Sequence, residues 1–339
     1  MQKTLSVISL SSIVFNARLV RKLIGARKFY AVVKADGYGH GAVEAAKALE
    51  GVADGFCVAL AEEGAQLRVG GVTLPVLVLA PPLDCDDAAK MKFYGLTPTV
   101  TDERSARLVK GEKCQLAVNS GMNRYGCCGK ELLRTLEILP QGSLEGVYSH
   151  LYAAESERES AAQLESFLNE AAAVKKHSPY AFLHIAASGG ILRGGKYLLD
   201  GVRCGIMLYG YAPCGFLNGA LREELSESAR EAVDGLKPAL KVYARLARET
   251  AVCGRGVGYN IADEKYDKLY TYRLGYADGF LRGVPLGEKT LCMDAFVSKL
   301  YKPLMPVMTD ADEYAKRCKT ISYEVLCSVT RRSERVYID

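Results

Sequence analysis

No apolar run in the 339-residue chain approaches the ~20 residues that a membrane-spanning helix needs, so no membrane association is expected. Cysteine is plentiful at 11, yet no Cys-x-x-Cys pair and no cysteine–histidine spacing of a zinc site occurs, and no metal site is expected. An odd number of scattered cysteines does not make a disulfide framework; it suits a reducing cytoplasm. A basic stripe is missing too. The 44 basic and 39 acidic residues leave a net charge of only +5, spread along the chain, so nucleic acid is not an expected partner. The opening MQKTLSVISLSSIVFNARLV has serines through its apolar part and no AxA-like cleavage site, and it reads as a strand followed by a helix over 16–25 rather than a signal peptide. Internal repeats and low-complexity tails are absent.

What is present is an ordinary globular balance, 49% hydrophobic and 24% charged, in a length that suits two or three domains. From 29 to 210, eight short apolar runs alternate with polar, helix-like stretches: FYAVVK (29–34), FCVAL (56–60), VLVLA (76–80), LTPTV (96–100), CQLAV (114–118), LEGVYSH (144–150), FLHIA (182–186) and VRCGIMLYG (202–210). Helices are expected between them over 42–50, 102–109, 130–139 and 156–176. Near-continuous apolar strands separated by amphipathic helices imply parallel strands buried on both faces. Eight such units in about 200 residues is the arithmetic of an α/β fold of the (β/α)8 TIM-barrel type. An open doubly wound sheet is the rival, because strand count alone does not prove closure. A polar stretch over 221–238 holds one expected helix, and from 241 onward alternating Tyr-, Val- and Arg-rich segments read as a smaller, mostly β C-terminal domain. The expected division is 1–237 for the barrel and 238–339 for the β domain.

In a barrel, chemistry belongs at the C-terminal ends of the strands. Lys34 stands at such an end, in AVVKADGYGHG. A lysine closing an apolar strand is desolvated, which favours its neutral, nucleophilic form and imine formation. The plainer alternative is a lysine that snorkels from the rim. The glycine-rich stretch that follows permits close backbone approach, and Tyr38 adds a phenol suited to a phosphate.

AVVKADGYGHG resembles the pyridoxal-phosphate lysine motif of the alanine racemase family. SGMNRYG (120–126), SHLYAAE (149–155), HIAASGGI (184–191), VRCGIMLYG (202–210), VGYN (257–260), GYADGF (275–280), CMD (292–294) and ISYEVLC (321–327) are similar to further family segments in the same order, over nearly the whole chain. The resemblance implies a pyridoxal 5'-phosphate-dependent racemase, a barrel followed by a β domain, acting on a small amino acid, most simply alanine, as a homodimer with shared active sites. It implies that Lys34 carries the cofactor as an imine and serves as one acid/base group. Tyr259, supplied by the partner subunit, would serve on the opposite face, since racemisation needs two such groups flanking a planar carbon. Tyr259 alone would be read as a strand tyrosine.

Arg203 matches the arginine that faces the pyridine nitrogen. An arginine keeps its proton, so the ring stays a weaker electron sink and reprotonation at Cα outruns side reactions. His150 matches a histidine expected to hydrogen-bond this arginine, and His184 either lines the cofactor ring or packs. Phosphate contacts are expected from Tyr38, Ser188, the backbone of Gly205 and Ile206, and Tyr323. Arg124 would hold the substrate carboxylate, and Met293 would add a backbone amide from the partner.

Some positions depart from the family. Ala117 stands where many members carry a carbamylated lysine, with Asn119 as an expected substitute, and Ala187 replaces the asparagine before Ser188. Cys292 follows Tyr276 by only 16 residues, so the β domain looks trimmed. These departures bear on substrate choice and dimer strength, and they keep a serine-preferring or broad-specificity racemase and a degenerate cofactor-binding paralogue as alternatives. The related decarboxylases usually place an acidic residue where this chain has Arg203. Single-barrel cofactor-binding proteins lack a region like 238–339.

Overall fold

The structure, a computed structural model, describes residues 4–217, 219–261, 265–282, 284 and 289–339. The chain forms two compact units. One comprises 13–37 and 42–236; the other comprises the segment up to Ser12, residues 38–41 and residues 237–339. The first strand, β1 (Thr4–Ser9), belongs to the second unit.

The larger unit is a (β/α)8 barrel. Its strands are β2 (Lys28–Val32), β3 (Gly55–Val58), β4 (Val76–Val78), β5 (Thr99–Val100), β6 (Cys114–Ala117), β7 (Leu144–Tyr148), β8 (Phe182–His184) and β9 (Gly201–Cys204). They pair in parallel in the order β4-β3-β2-β9-β8-β7-β6-β5. The two ends of that order meet: Leu77 bridges Thr97, the Val78 amide donates to the Thr97 carbonyl at 2.9 Å, and the Thr97 amide donates to the Val76 carbonyl at 2.8 Å. That seam closes the sheet and decides against the open doubly wound alternative. β5 is short because Pro98 has no N–H to give a ladder, although its carbonyl still accepts from Gln115 at 3.0 Å.

Helices fill the outside. The longest, Glu157–His177, starts at Ser156, whose hydroxyl accepts from the Glu159 amide. Glu157 and Glu159 lie in its first turn and Lys175, Lys176 and His177 in its last, which complements the helix dipole. Gln163, Leu164, Phe167, Ala171 and Val174 recur three or four residues apart and are buried against a core containing Val100, Leu116, Val147 and Ile185. Truncating the fully buried Phe167 to Ala would cost roughly 3–5 kcal/mol. The stretch expected to hold one helix over 221–238 holds two, Ala220–Glu223 and Glu227–Gly235; the hydroxyl of Ser226 accepts from the Ala229 amide and starts the second.

The smaller unit is built on β10 (Leu240–Ala251). It pairs antiparallel with β1 through its first half and with β13 (Lys268–Tyr272) through its second, with a bulge between Leu246 and Arg248. Its other described strands are β11 (Gly256–Val257), β12 (Asn260–Ile261), β14 (Lys289–Leu291), β15 (Phe296–Ser298), β16 (Leu304–Met308) and β17 (Glu334–Ile338), and β17 pairs parallel with β1. Helices Ala311–Cys318 and Ser322–Val329 complete it.

Candidate active site

β2 runs Lys28–Val32, and the chain then turns sharply. Val33 donates to the Cys57 carbonyl at 2.9 Å, and Lys34 leads into a left-handed turn with Ala35 at φ 52°, Asp36 at 53°, Gly37 at 61° and Tyr38 at 52°. The expected strand over 29–34 therefore stops two residues early. Lys34 itself is half-buried.

The barrel interior near this strand end carries polar side chains at alternating inward positions. Tyr30 pairs in register with Arg203, and Tyr148 with His184. Arg203 is 3% exposed. Its Nη1 donates to His184 Nδ1 at 2.7 Å and its Nη2 to the Ser149 carbonyl at 2.6 Å, and its guanidinium lies 4.7 Å from the Tyr148 ring centroid. Among the described residues no carboxylate pairs with it. Because Nδ1 accepts, the His184 proton sits on Nε2 and is donated to Gln115 Oε1 at 2.8 Å. Burial, and then the charges of Arg203 and Lys28, hold His184 far below its ordinary range, so it is neutral.

His150 was expected to bond Arg203. The structure gives that bond to His184 instead, because β8, which carries His184, is the hydrogen-bonded neighbour of β9, whereas His150 follows β7 one strand further on. Burial, and then the charges of Arg203, Arg124 and Lys34, push His150 down to about 3, so it too is neutral near pH 7. The loop carrying His150 is tied to the long helix by Gln163, which donates to the His150 carbonyl at 3.1 Å and accepts from the Tyr152 amide at 2.9 Å. Burial pushes the Cys57 thiol up to about 12 despite the opposing charges of Arg203 and Lys34.

Ser188 opens the helix Ser188–Arg193, and its hydroxyl accepts from the Gly205 amide at 3.3 Å. Gly205 leads into a 3-10 turn over Ile206–Tyr209, which Asn16 and Tyr209 pin by bonds to the Leu208 and Val32 carbonyls, both at 3.0 Å. The two segments holding Ser188, Gly205 and Ile206 thus converge. Gly189 must be glycine here: a Cβ on it would lie 2.6 Å from Cβ of Ala154.

Arg124 is exposed, 6.0 Å from the Tyr125 ring. Asn119, the expected substitute for the carbamylated lysine, does not bond Arg124. Its Oδ1 accepts from the Gly121 and Asn123 amides, both at 3.1 Å, and so shapes the loop instead. An amide side chain that short spends its acceptor on the nearest backbone. Ala117 is buried in β6.

In the smaller unit Tyr38 and Tyr323 come together, ring centroids 6.0 Å apart at 58°. Tyr259 lies in the turn between β11 and β12, 65% exposed, with Arg282 6.0 Å from its ring. Met293 is 56% exposed. The GYADGF and CMD segments dock on each other: Tyr276 donates from its amide to the Cys292 carbonyl and Ala277 to that of Met293, both at 3.0 Å.

Gln115, Tyr148, Tyr30, Cys57 and Glu63 were not picked out from sequence. Their signal was present for the first of these, as a polar residue inside the apolar run CQLAV. Among the described residues there is no helix long and apolar enough to cross a membrane and no cluster of metal-ligating side chains.

Residues 8–213 match the family model described as "Alanine racemase, N-terminal domain". The chain is 31% identical to the alanine racemase of Cutibacterium acnes, over 98% of this chain and 97% of that protein. It is 33% identical to that of Carboxydothermus hydrogenoformans, over 98% of each. Among solved structures, alanine racemase from Clostridium difficile superposes with a TM-score of 0.85 at 28% identity, covering 99% of this chain and 95% of the other. Alanine racemase from Bacillus anthracis with bound L-Ala-P gives 0.84 at 28% identity, covering 100% and 96%.

Proposed function

Because this chain belongs to the alanine racemase family, we propose that it interconverts L- and D-alanine with pyridoxal 5'-phosphate, as a cytoplasmic homodimer. The observation that carries this reading is Arg203. A guanidinium buried without a carboxylate partner is costly unless a ligand uses it. A pyridine nitrogen is an acceptor of the right kind.

The other residues fit the same group. Lys34 would hold it covalently through Nζ. The Ser188 hydroxyl with the Gly205 and Ile206 amides, and the phenols of Tyr38 and Tyr323, are donors suited to a phosphate. His150 and His184 are neutral, so neither adds charge at the ring. When bound, the cofactor draws electron density from the substrate Cα and so makes its proton removable.

The chain's own residues would do the rest. Arg203, held in orientation by His184 and Ser149, would face the ring nitrogen and keep its own proton there. Arg124 would hold the substrate carboxylate. Lys34 would move the Cα proton on one face. Tyr259 from a second copy of the chain would move it on the other, with the Met293 amide of that copy beside it; the exposure of Tyr259 and Met293 in the single chain supports that sharing.

The test is Cα exchange and chirality in heavy water, with purified protein, pyridoxal phosphate and a panel of L-amino acids. Exchange with loss of optical purity for alanine is expected. No exchange with any amino acid, despite covalently bound cofactor, would overturn the reading.

A further inference from the structure

The left-handed turn that follows Lys34 is an expensive piece of backbone. Ala35 and Asp36 have φ of 52° and 53°, a region that side chains with a Cβ seldom occupy, and they do so in succession. Such a conformation persists only where its surroundings impose it. Three contacts do so. The Gly37 amide donates to the Val33 carbonyl at 2.8 Å, and the Ala42 amide donates to Asp36 Oδ1 at 2.9 Å. The third comes from outside the segment: the Ala35 amide donates to Glu63 Oε1 at 2.7 Å.

Glu63 lies in the first turn of the helix Ala61–Val69, which follows β3. Its second oxygen, Oε2, accepts from the Ala59 amide at 2.6 Å and the Leu60 amide at 3.2 Å. One carboxylate therefore fastens the start of this helix with one oxygen and, with the other, the peptide group that joins Lys34 to Ala35. Only a group with acceptors on both sides does both tasks; an amide in its place would turn an NH2 towards one of the N–H donors.

We propose that Glu63 is a positioning residue for Lys34. Its carboxylate holds the Lys34–Ala35 peptide in the left-handed turn and so fixes where the Lys34 Nζ stands. This inference rests on the reading of Lys34 as the group that carries the cofactor and moves the Cα proton. Misplacing a reacting group by about 1 Å costs on the order of a hundredfold in rate, so a small rotation of this turn is enough to matter.

The experiment compares the holoenzyme with Glu63→Ala, Glu63→Gln and the double variant Glu63→Ala/Ala35→Gly, reading kcat and KM for alanine, covalently bound cofactor and thermal melting. Glu63→Ala is expected to lower kcat roughly 10–100-fold with KM changed by less than about twofold and cofactor still attached. Glycine adopts positive φ without a Cβ clash, so Ala35→Gly should restore about tenfold of the lost kcat. A residue that merely capped its own helix would show its loss in melting and would not be rescued at Ala35. Glu63→Gln keeps an acceptor for the helix start, so it should melt near the parent and still lose kcat; it decides the matter if Glu63→Ala fails to fold. Parent-like kcat in a folded Glu63 variant, or a loss that Ala35→Gly leaves untouched, would overturn the proposal. Lys34→Ala separates the two layers. If it turns over, the reading of Lys34 falls; if it is dead while Glu63→Gln is fully active, only the role of Glu63 falls.

Discussion

Arg203 and His184 sit on adjacent barrel strands and share a hydrogen bond of 2.7 Å from Nη1 to Nδ1. That bond fixes which group donates. Burial keeps the imidazole neutral, so its Nδ1 accepts from the charged guanidinium and its own proton is directed to Gln115.

Replacing His184 with leucine removes the acceptor at one end and the donor at the other. Gln115 Oε1 is left buried without its partner, and Arg203 loses its short bond to the ring and keeps two backbone carbonyls, that of Ser149 for Nη2 and, at 3.3 Å, that of residue 184 for Nη1. An unsatisfied buried polar group costs about 1–3 kcal/mol. The expected outcome is a loss of that size in chemical denaturation, together with reduced racemase turnover. A His184→Leu protein with parent stability and turnover would show that the relay does not hold Arg203.

Acid should destabilise the fold from the same region. His150 is pushed from 6.5 to about 3, and His184 is lowered as well. The unfolded chain therefore binds protons that the folded chain refuses once pH falls below about 6.5. The stability His150 contributes is fully present above that pH and is lost as pH falls towards 3, with a slope of up to ~1.4 kcal/mol per pH unit in that window, and His184 acts in the same direction. Urea midpoints measured from pH 7.5 to pH 4.5 should fall with acidity, and less steeply in a His150→Asn variant; a parallel fall in both proteins would assign the acid lability elsewhere.

Backbone crowding yields a separate prediction. A Cβ added at Gly275 would lie 2.3 Å from the carbonyl oxygens of both Cys292 and Met293. Backbone cannot move aside as a side-chain tip can, so Gly275→Ala should cost about 1–3 kcal/mol or more. It should also displace Met293. A melting temperature equal to that of the parent would contradict the close docking of the two segments.

The barrel was legible because its strands are short apolar runs spaced by amphipathic helices, a pattern that local sequence carries. Its closure was not, since it depends on Leu77 meeting Thr97, a pairing that no periodicity encodes. The pairing of β1 with β10 and β17 is of the same kind, joining Leu5 to Tyr243 and to Glu334. The left-handed turn after Lys34 was hidden for a different reason: Ala35 disfavours positive φ, and one of the three contacts that hold the turn comes from a carboxylate 28 residues later. At the site, a lysine closing an apolar strand announced Lys34, whereas Arg203 and its expected partner His150 came only from the family resemblance. The partner found, His184, is set by strand order.

Tyr259 offers the sharpest test of the division of labour between faces. Its ring is exposed, in a turn whose glycine, Gly258, at φ 59° would bring a Cβ within 3.0 Å of Cys292 Sγ, so the phenol is presented by a packed support. Tyr259→Phe removes the proposed acid/base group and leaves that support intact. General acid–base catalysis contributes typically 10²–10⁴-fold, and the loss should fall on one enantiomer only. Cα exchange from L-alanine should drop by that order, while exchange from D-alanine, the side the proposed mechanism gives to Lys34, stays within about tenfold of the parent. Deuterium exchange followed by chiral chromatography measures both in one sample. Equal losses from the two enantiomers would mean that Tyr259 serves the whole site rather than one face, and the two-face reading would have to be given up.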